Sequence, residues 1–293
     1  GQAAVIIALV CIYKGKWKEN FTLNFELVDY ISTFLDSSEY NLPPYSIHEN
    51  SLKSFMGSTV FGSGFFIRDS EAKALLDLEE KNKEVLFPII NGEDFLNNVD
   101  QTPSRWVINF FDWELSKASS FTSCFKIVEE RVLPQRLGQN IKSAKELWWR
   151  FHRLGKDLFE AKTSLSRVLV TAITSKTVAF AFNPTNYVFS NAVIVFAFDK
   201  YRYFCLLQNT LHNIWAWKYA STLKTDLRYT PSDVFETYPF PQNLSDDTEE
   251  LLEQIGEEYH EFRRELMLNL QLGLTKTYNL FHTKGLTIDN PHL

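Results

Sequence analysis

Cysteine is scarce in this sequence, and its few cysteines show no pairing pattern. The 293 residues contain three cysteines, Cys11, Cys124 and Cys205, without a CxxC motif. An odd number of widely spaced thiols argues against a disulfide framework and against a zinc knuckle. The six histidines contain no pair at the spacing of helical metal sites. The sequence therefore predicts no metal in this chain and a reducing, cytoplasmic setting.

Long apolar runs are also absent. The longest, Ala3 to Tyr13, has eleven residues, whereas a helix that crosses a bilayer needs about 20. The run also lacks the cleavage pattern of a signal peptide. We therefore predict no membrane contact, and we interpret this run as a buried strand of the continuous apolar kind found in parallel or mixed sheets.

Motifs for catalysis and for cofactor binding are missing. Asn41-Leu-Pro-Pro-Tyr45 is close to the Asn-Pro-Pro-Tyr loop that holds a flipped adenine, but Leu42 interrupts it, and no glycine-rich turn between a strand and a helix precedes it. The segment from Gly57 to Gly64 is rich in glycine without the Gly-Lys-Ser ending of a phosphate loop. These gaps predict that the chain has no catalytic residue and binds no cofactor by itself.

An overall positive charge is lacking as well. The formal net charge is -6, whereas a DNA-binding protein must neutralise phosphates. The acidity is concentrated near the end, because residues 243–265 hold nine acidic and two basic side chains. Residues 105–176 hold thirteen basic and seven acidic side chains, a net charge of +6 over seventy-two residues. This distribution predicts a backbone-facing basic surface in the middle of the chain.

What the sequence does contain is a regularly charged segment between Ser221 and Pro241. Lys224, Asp226 and Arg228 occupy alternate positions, so in an extended strand all three project from one face. Lys and Arg donate hydrogen bonds to guanine, and Asp accepts one from the cytosine amine, which is the chemistry of major-groove readout. The alternative is a solvated surface ladder with internal salt bridges, which the spacing alone does not exclude.

Helices and strands are both expected, which predicts the α+β class: a mixed sheet with flanking helices and a C-terminal helical tail. Apolar spacings of three and four residues predict a helix from about Ser143 to Lys162 and another over Phe204 to Tyr219. Within the second helix, His212 is interpreted as a hydrogen-bonded structural residue. A long amphipathic helix is predicted past Pro241. Its predicted inward residues are Leu252, Ile255, Tyr259, Phe262 and Leu266.

Ten phrases of the sequence resemble one protein family in their order along the chain. They are Asn50–Ser58 (NSLKSFMGS), Phe61–Phe65 (FGSGF), Pro88–Gly92 (PIING), Arg105–Phe110 (RWVINF), Glu130–Arg136 (ERVLPQR), Trp148–Trp149, Leu206–Ala216 (LLQNTLHNIWA), Arg228–Thr230 (RYT), Phe235–Pro241 (FETYPFP) and Gly273–Asn279 (GLTKTYN). Together they resemble MmeI-like bacterial restriction-modification enzymes, which join a nuclease, an adenine methyltransferase and a TaqI-like specificity domain. The shared order of the phrases carries the resemblance.

The resemblance implies a division of the chain and a function. Residues 1–35 would be the terminal strands of a methyltransferase domain, residues 36–242 a DNA target-recognition domain, and residues 243–293 a helical tail. The chain would hold double-stranded DNA while a catalytic domain absent from it methylates the exocyclic amine of an adenine. The methyltransferase domain, and a nuclease domain where one is fused, would be its partners. S-adenosylmethionine and magnesium are implied for that longer polypeptide only.

Candidate DNA contacts follow from the charged segment and from the resembling phrases. The predicted base readers are Lys224, Asp226 and Arg228. The predicted backbone contacts are Arg131, Arg136, Lys176, Ser221 and Thr225. For Arg131 the alternative is a structural salt bridge to Glu129 or Glu130.

Two other functions fit parts of the sequence. A protein-interaction or scaffold domain would account for the aromatic content of 15% and for the acidic tail helix. A metal-dependent nuclease would rest on the Glu-x-Lys spacing of Glu71 and Lys73, although both residues fall on a predicted helix. Salt-dependent DNA binding distinguishes the first function from target recognition, and magnesium-dependent cleavage would indicate the second.

Overall fold

The computed structural model describes residues 9–32, 35–37 and 44–283. The strands are β1 (Phe21–Leu23), β2 (Glu26–Val28), β3 (Ser54–Met56), β4 (Phe66–Ile67), β5 (Leu86–Ile90), β6 (Arg105–Ile108), β7 (Arg167–Ala172), β8 (Thr174–Ser175), β9 (Phe180–Pro184), β10 (Val188–Phe189), β11 (Val193–Phe196), β12 (Ser221–Leu223) and β13 (Asp226–Arg228). The α-helices are α1 (Asp69–Leu78), α2 (Gly92–Asn97), α3 (Leu115–Ser119), α4 (Thr122–Arg131), α5 (Leu133–Leu137), α6 (Lys142–Glu146), α7 (Lys156–Ala161), α8 (Tyr201–Gln208), α9 (Thr210–Tyr219), α10 (Asp246–Leu270) and α11 (Leu274–Phe281).

The chain forms two compact units that meet in sequence between Ser46 and Ile47. The first unit contains the antiparallel hairpin of β1 and β2. The predicted buried strand from Ala3 to Tyr13 falls partly on residues 1–8, which lie outside the described residues. Its described part is not a strand, and Leu9 is 90% exposed. That interpretation is wrong for residues 9–13, because no strand within residues 9–32 pairs with them.

Three sheets organise the second unit. A mixed sheet has the order β10-β5-β6-β4, with β10 parallel to β5. An antiparallel sheet has the order β3-β11-β7-β9, and a small antiparallel sheet has the order β12-β13-β8. The predicted α+β class with mixed sheets and a C-terminal helix is confirmed.

The central antiparallel sheet is buried on both faces. On β7, Leu169 packs with α8 and α9 in one core cluster, whereas its neighbours Val168 and Val170 pack in another. This alternation follows from the two-residue period of a strand. The mixed sheet has a third core cluster of its own, which includes Phe65 and Val107. The described residues of the second unit thus form three apolar clusters. Leu227 of the small sheet packs in the cluster that contains Leu169, α8 and α9.

The predicted helix from Ser143 to Lys162 is wrong. Helix α6 ends at Glu146, and α7 begins only at Lys156, after Gly155 with a φ of 75°. Between them, the N–H of Arg153 donates to the carbonyl of Thr59, and the N–H of Thr59 donates back to the carbonyl of Arg153. Tertiary pairing and a left-handed glycine override the apolar periodicity here.

The predicted helix over Phe204 to Tyr219 is two helices, α8 and α9, separated at Asn209. The Asn209 side-chain oxygen accepts a hydrogen bond of 2.8 Å from the N–H of His212, and this caps α9. Leu207 is buried, whereas Leu211 and Ile214 are 72% and 59% exposed. Because of this break, α9 buries a different face from the one that a single continuous helix would bury.

Removal of this cap should lower the stability of the chain modestly. We expect Asn209→Ala to decrease the free energy of unfolding by about 1 kcal/mol, because the N–H of His212 loses its acceptor in a buried position. Urea unfolding monitored by circular dichroism measures the change. Asn213→Ala, at an exposed position of the same helix, is the matched control and should be close to neutral. Equal effects of both variants would contradict the capping role.

The long tail helix is confirmed as α10, but its inward face differs from the prediction. The buried residues are Gly256, His260, Arg263 and Met267, whereas four apolar residues on another face, here named the apolar stripe, are exposed. The apolar stripe comprises Leu251 (53% exposed), Ile255 (44%), Tyr259 (40%) and Phe262 (64%). Gly256 explains the choice of face, because any Cβ at this position would overlap the carbonyl of Tyr201 on α8. The absence of a side chain lets the two helices approach closely.

Polar contacts fix α10 to the rest of the second unit. The carboxylate of Glu253 accepts hydrogen bonds from the N–H groups of Tyr201 and Arg202, at 3.0 and 2.8 Å, and so caps α8. Arg264 binds both carboxylate oxygens of Asp100 at 2.6 and 2.9 Å. The predicted boundary between residues 242 and 243 stays a prediction, but α10 packs on the same unit. No helix among the described residues has the length and apolar character needed to cross a membrane.

Candidate nucleic-acid interface

The charged segment forms a β-hairpin at the end of the small sheet. Strands β12 and β13 pair with Ser221 opposite Arg228 and Leu223 opposite Asp226. Lys224 and Thr225 form the two-residue turn between them, and Lys224 has a φ of 59°. A positive φ is typical of such tight hairpin turns.

This turn corrects the predicted geometry of the base readers. Asp226 and Arg228 lie on one strand with Leu227 between them, so they share a face, as predicted. Lys224 does not continue that row, because the chain reverses at its position. The segment thus presents a two-residue row on β13 and a separate cation at the hairpin tip. The assignment of the three residues to base reading stays a prediction.

The third strand of the sheet brings Lys176 to the hairpin. Strand β8 pairs with β13, with Ser175 opposite Leu227 and Thr174 opposite Arg228. Lys176 follows Ser175 directly and is exposed, so it lies at the same end of the sheet as Asp226. Six of the eight predicted contacts are therefore gathered on one small sheet. They are Lys176, Ser221, Lys224, Thr225, Asp226 and Arg228.

No ion pair among the described residues neutralises the charges of the hairpin. Arg228, Lys224 and Lys176 are exposed and Asp226 is half-buried. Among residues 9–32, 35–37 and 44–283, no ion pair within 4.0 Å involves any of them. The internal salt bridges of the alternative interpretation are therefore not found among the described residues, whereas the exposure of these side chains fits both a solvated ladder and a DNA-binding surface.

A buried polar pair anchors the hairpin to the core. Leu227 is 2% exposed and Tyr229 1% exposed, and the hydroxyl of Tyr229 is 3.1 Å from Nε2 of His212. Burial raises the pKa of the Tyr229 phenol and lowers the pKa of His212 to about 4. His212 is therefore a neutral, hydrogen-bonded structural residue, as predicted. The alternation of buried Leu227 and Tyr229 with Asp226 and Arg228 is what directs the charged pair away from the core.

Arg136 is not available as a backbone contact. Its side chain is 1% exposed and donates hydrogen bonds to the carbonyl oxygens of Val60 (3.0 Å) and Arg150 (3.1 Å). Its guanidinium also lies 5.1 Å from the ring centroid of Phe61. The predicted role is wrong for this residue, because a cation held inside a core by carbonyl groups cannot reach a phosphate.

Arg131 lies on the surface, in a recess of about 330 Å³ beside the mixed sheet. Its guanidinium pairs at 2.5 Å with Glu71, which lies on α1. The predicted alternative of a structural salt bridge is therefore observed, but its partner is Glu71 and not Glu129 or Glu130. The recess, here named the arginine recess, is also lined by Arg68 and Arg105. Sequence reasoning named neither arginine as a contact, although Arg105 opens the basic stretch of residues 105–176, because only the fold brings the two to Arg131.

The basic stretch of residues 105–176 is not one free positive surface. Lys162 is buried and donates to the carbonyl oxygens of Thr185 and Tyr187 at 2.7 and 2.8 Å, and burial lowers its pKa to about 8. Five other cations of the stretch are paired with carboxylates: Lys126 with Glu130, Arg131 with Glu71, Lys142 with Glu146, Arg150 with Glu114 and Lys156 with Asp112. Charge counted along the sequence therefore overstates the cations that are free to meet a phosphate.

The residues of the nuclease alternative have structural partners. Glu71 pairs with Arg131, and Lys73 pairs with Asp69 at 2.7 Å along helix α1. No group of three or more His, Cys, Asp or Glu side chains within residues 9–32, 35–37 and 44–283 could hold a metal ion. Nothing in this arrangement favours the nuclease.

Comparisons with known proteins bear on the family and the fold of this chain. The family model described as "MmeI, target recognition domain" matches residues 47–242. Among solved structures, the fold is similar to that of the type IIL restriction-modification enzyme MmeI in complex with DNA, with a TM-score of 0.64 and 18% identity over 82% of this chain and 32% of that one. The type IIG restriction endonuclease BpuSI matches at a TM-score of 0.40 and 14% identity, over 73% of this chain and 26% of that one. No curated protein matches.

The family match identifies residues 47–242 as a target recognition domain of the kind found in restriction-modification enzymes. The match covers more than half of the chain, from Ile47 to Gln242. The chain belongs to the MmeI target recognition domain family. It spans 32% of the length of MmeI.

Proposed function

We propose that this chain recognises a short sequence in double-stranded DNA, with the hairpin of β12 and β13 entering the major groove. A two-stranded ribbon fits that groove, which is about 12 Å wide. The observation that carries the proposal is the row of Asp226 and Arg228, anchored by buried Leu227 and without ion-pair partners among the described residues. Family membership supports DNA as the partner.

The proposed roles follow from position in the small sheet. Asp226 and Arg228 discriminate bases, since a carboxylate accepts from cytosine and a guanidinium donates to guanine. Lys224 at the hairpin tip reads a base in support of them. Lys176, Ser221 and Thr225 surround this row and contact the backbone, which fixes the register without reading the sequence. Arg131 is the remaining backbone contact, on the mixed-sheet side.

We also propose that catalysis belongs to other domains of a longer polypeptide. An S-adenosylmethionine-dependent domain would methylate the exocyclic amine of an adenine within the recognised site, and a fused nuclease would use magnesium. The share of 32% that this chain occupies in MmeI is in keeping with one module of a multidomain enzyme. Such an enzyme would act in the bacterial cytoplasm.

Salt-dependent binding to duplex DNA tests the proposed function. We expect this chain to bind a short duplex. The logarithm of its association constant should fall linearly with the logarithm of the salt concentration, because each phosphate contact releases counterions. Lys176→Gln should reduce the slope by about one, because the variant neutralises one phosphate fewer. Fluorescence anisotropy at several salt concentrations measures both quantities. Lys276→Gln, which removes an exposed charge from α11, is the matched control.

A scaffold function remains the second candidate because of the apolar stripe on α10. Four large apolar side chains exposed at helical spacing are typical of a surface that contacts another protein. Two results together would favour this function over target recognition. The chain would not bind DNA at low salt, and it would capture a protein partner stably unless Tyr259→Ser or Phe262→Ser is introduced. Magnesium-dependent cleavage by the chain alone would contradict both.

A further inference from the structure

None of the residues that line the arginine recess belongs to the small sheet, and the chemistry of the recess is distinct from base reading. Its lining comprises Phe66, Ile67, Arg68, Glu71, Arg105 and Arg131. Its volume of about 330 Å³ is at the lower end of the range of roughly 300–1,000 Å³ for small-ligand sites. The recess therefore suits a small group rather than a large organic ligand.

The recess has an excess of positive charge. Glu71 contributes the one carboxylate of the lining, and it is paired with Arg131. Among the described parts of the chain, neither Arg68 nor Arg105 has a carboxylate within 4.0 Å. Two guanidinium groups thus remain without counter-charges at one opening. Anions are the ligands that such an arrangement attracts.

Two of the three guanidinium groups, those of Arg105 and Arg131, have partners in the fold before any ligand arrives. Arg105 stacks on the Phe66 ring at 4.3 Å from its centroid, which restricts the long side chain at a modest cost in solvation. Glu71 fixes Arg131 across the gap between α1 and α4. Planar guanidinium groups match the oxygens of a phosphate in pairs, which an ammonium group does not.

A purely structural role accounts for only part of this arrangement. The pair of Glu71 with Arg131 ties α4 to α1 and needs no ligand. Arg68 and Arg105 contribute nothing to that tie. A bound anion would supply the counter-charge that no described carboxylate places beside them.

We propose that the arginine recess binds a phosphate group through Arg68 and Arg105, with Arg131 held beside them by Glu71. The proposed function supplies one source of that phosphate, the backbone of duplex DNA on the side of the mixed sheet. A free phosphate or a nucleotide presents the same chemistry. The recess would then be a second anchoring point, separate from the hairpin.

Charge removal in the recess tests the proposal with DNA as the probe. We expect Arg68→Gln and Arg105→Gln each to weaken binding of a short duplex about tenfold and to lower the salt slope by about one. Lys276→Gln on α11 is the matched control, because it removes one exposed charge from an element outside the recess. Thermal unfolding without DNA checks that the variants fold, which we expect because both arginines are exposed.

Inorganic phosphate separates the two sources. If phosphate raises the melting temperature of the wild-type chain relative to chloride at equal ionic strength, and the double variant Arg68→Gln/Arg105→Gln abolishes that effect, the recess binds phosphate. An unchanged DNA affinity in the double variant would then identify a small phosphate compound as the source. DNA binding and phosphate stabilisation that both match the control would overturn the proposal. A wild-type chain that responds to phosphate but not to DNA would instead reject the proposed function and leave the recess intact.

Discussion

Exchange of the charges at Asp226 and Arg228 should change the DNA sequence that the full-length polypeptide modifies. In the variant Asp226→Arg/Arg228→Asp, the acceptor and the donor trade places along β13, so each meets a base edge of the wrong kind. A good bidentate pair contributes about 1–3 kcal/mol of discrimination. Removal of two such pairs therefore lowers modification of the original site by a factor of roughly 10² to 10⁴. Sequencing of methylated adenines in genomic DNA measures the change.

The exchange leaves the anchoring of the hairpin untouched. Leu227 and Tyr229 remain buried, and the hydroxyl of Tyr229 keeps its hydrogen bond to His212. A matched exchange on the tail, Glu265→Arg/Lys276→Asp, alters two exposed charges in the same way and should leave the modified site unchanged. If the hairpin variant folds and still modifies the original sequence, Asp226 and Arg228 do not read bases.

Acidification should destabilise the fold between pH 6.5 and pH 4. Burial lowers the pKa of His212 to about 4 from its ordinary value of 6.5. Within this window the unfolded chain binds a proton that the folded chain does not, so the free energy of unfolding falls as the pH falls. The contribution of His212 is about 3 kcal/mol, present in full above pH 6.5 and lost below pH 4. Urea unfolding at a series of pH values measures the slope.

The surroundings of His212 explain why its proton is so costly. Its ring lies among Phe180, Tyr229 and Tyr238, with centroid distances of 5.5, 5.8 and 4.7 Å. None of these side chains offers a negative charge to an imidazolium. His212→Gln should flatten the slope, whereas His152→Gln removes an exposed imidazole and should not. An NMR titration in which His212 takes up its proton near pH 6.5 in the folded chain would contradict the prediction without relying on a variant.

Local patterns predicted the parts of the fold in which the chain interacts with its own neighbours in sequence. The long tail helix follows from such a pattern. The helix from Ser143 to Lys162 did not form, because Arg153 pairs with Thr59, far away in sequence, and Gly155 takes a left-handed conformation. On α10 the predicted face was wrong, because close approach to α8 at Gly256 outweighed burial of larger side chains.

The candidate site could be predicted where its residues lie close together in the sequence. The hairpin residues were found from their spacing, although the turn at Lys224 was not. Arg136 was misassigned, because sequence does not distinguish a cation that packs under carbonyl groups from one that faces solvent. Arg68 and Arg105 escaped notice for the opposite reason: each becomes informative only when β4, α1 and β6 bring it to Arg131.

The packing of α10 against α8 determines where segments could be exchanged between related proteins. A chimera spliced at residue 242 would combine one parent's α8 with another parent's α10. The small residue at Gly256, the cap from Glu253 to Tyr201 and Arg202, and the pair of Arg264 with Asp100 would each have to match across that splice. Grafts that extend from before Asp100 to Phe281 keep these matched sets intact, and so transfer the hairpin together with the helices and side chains that support it.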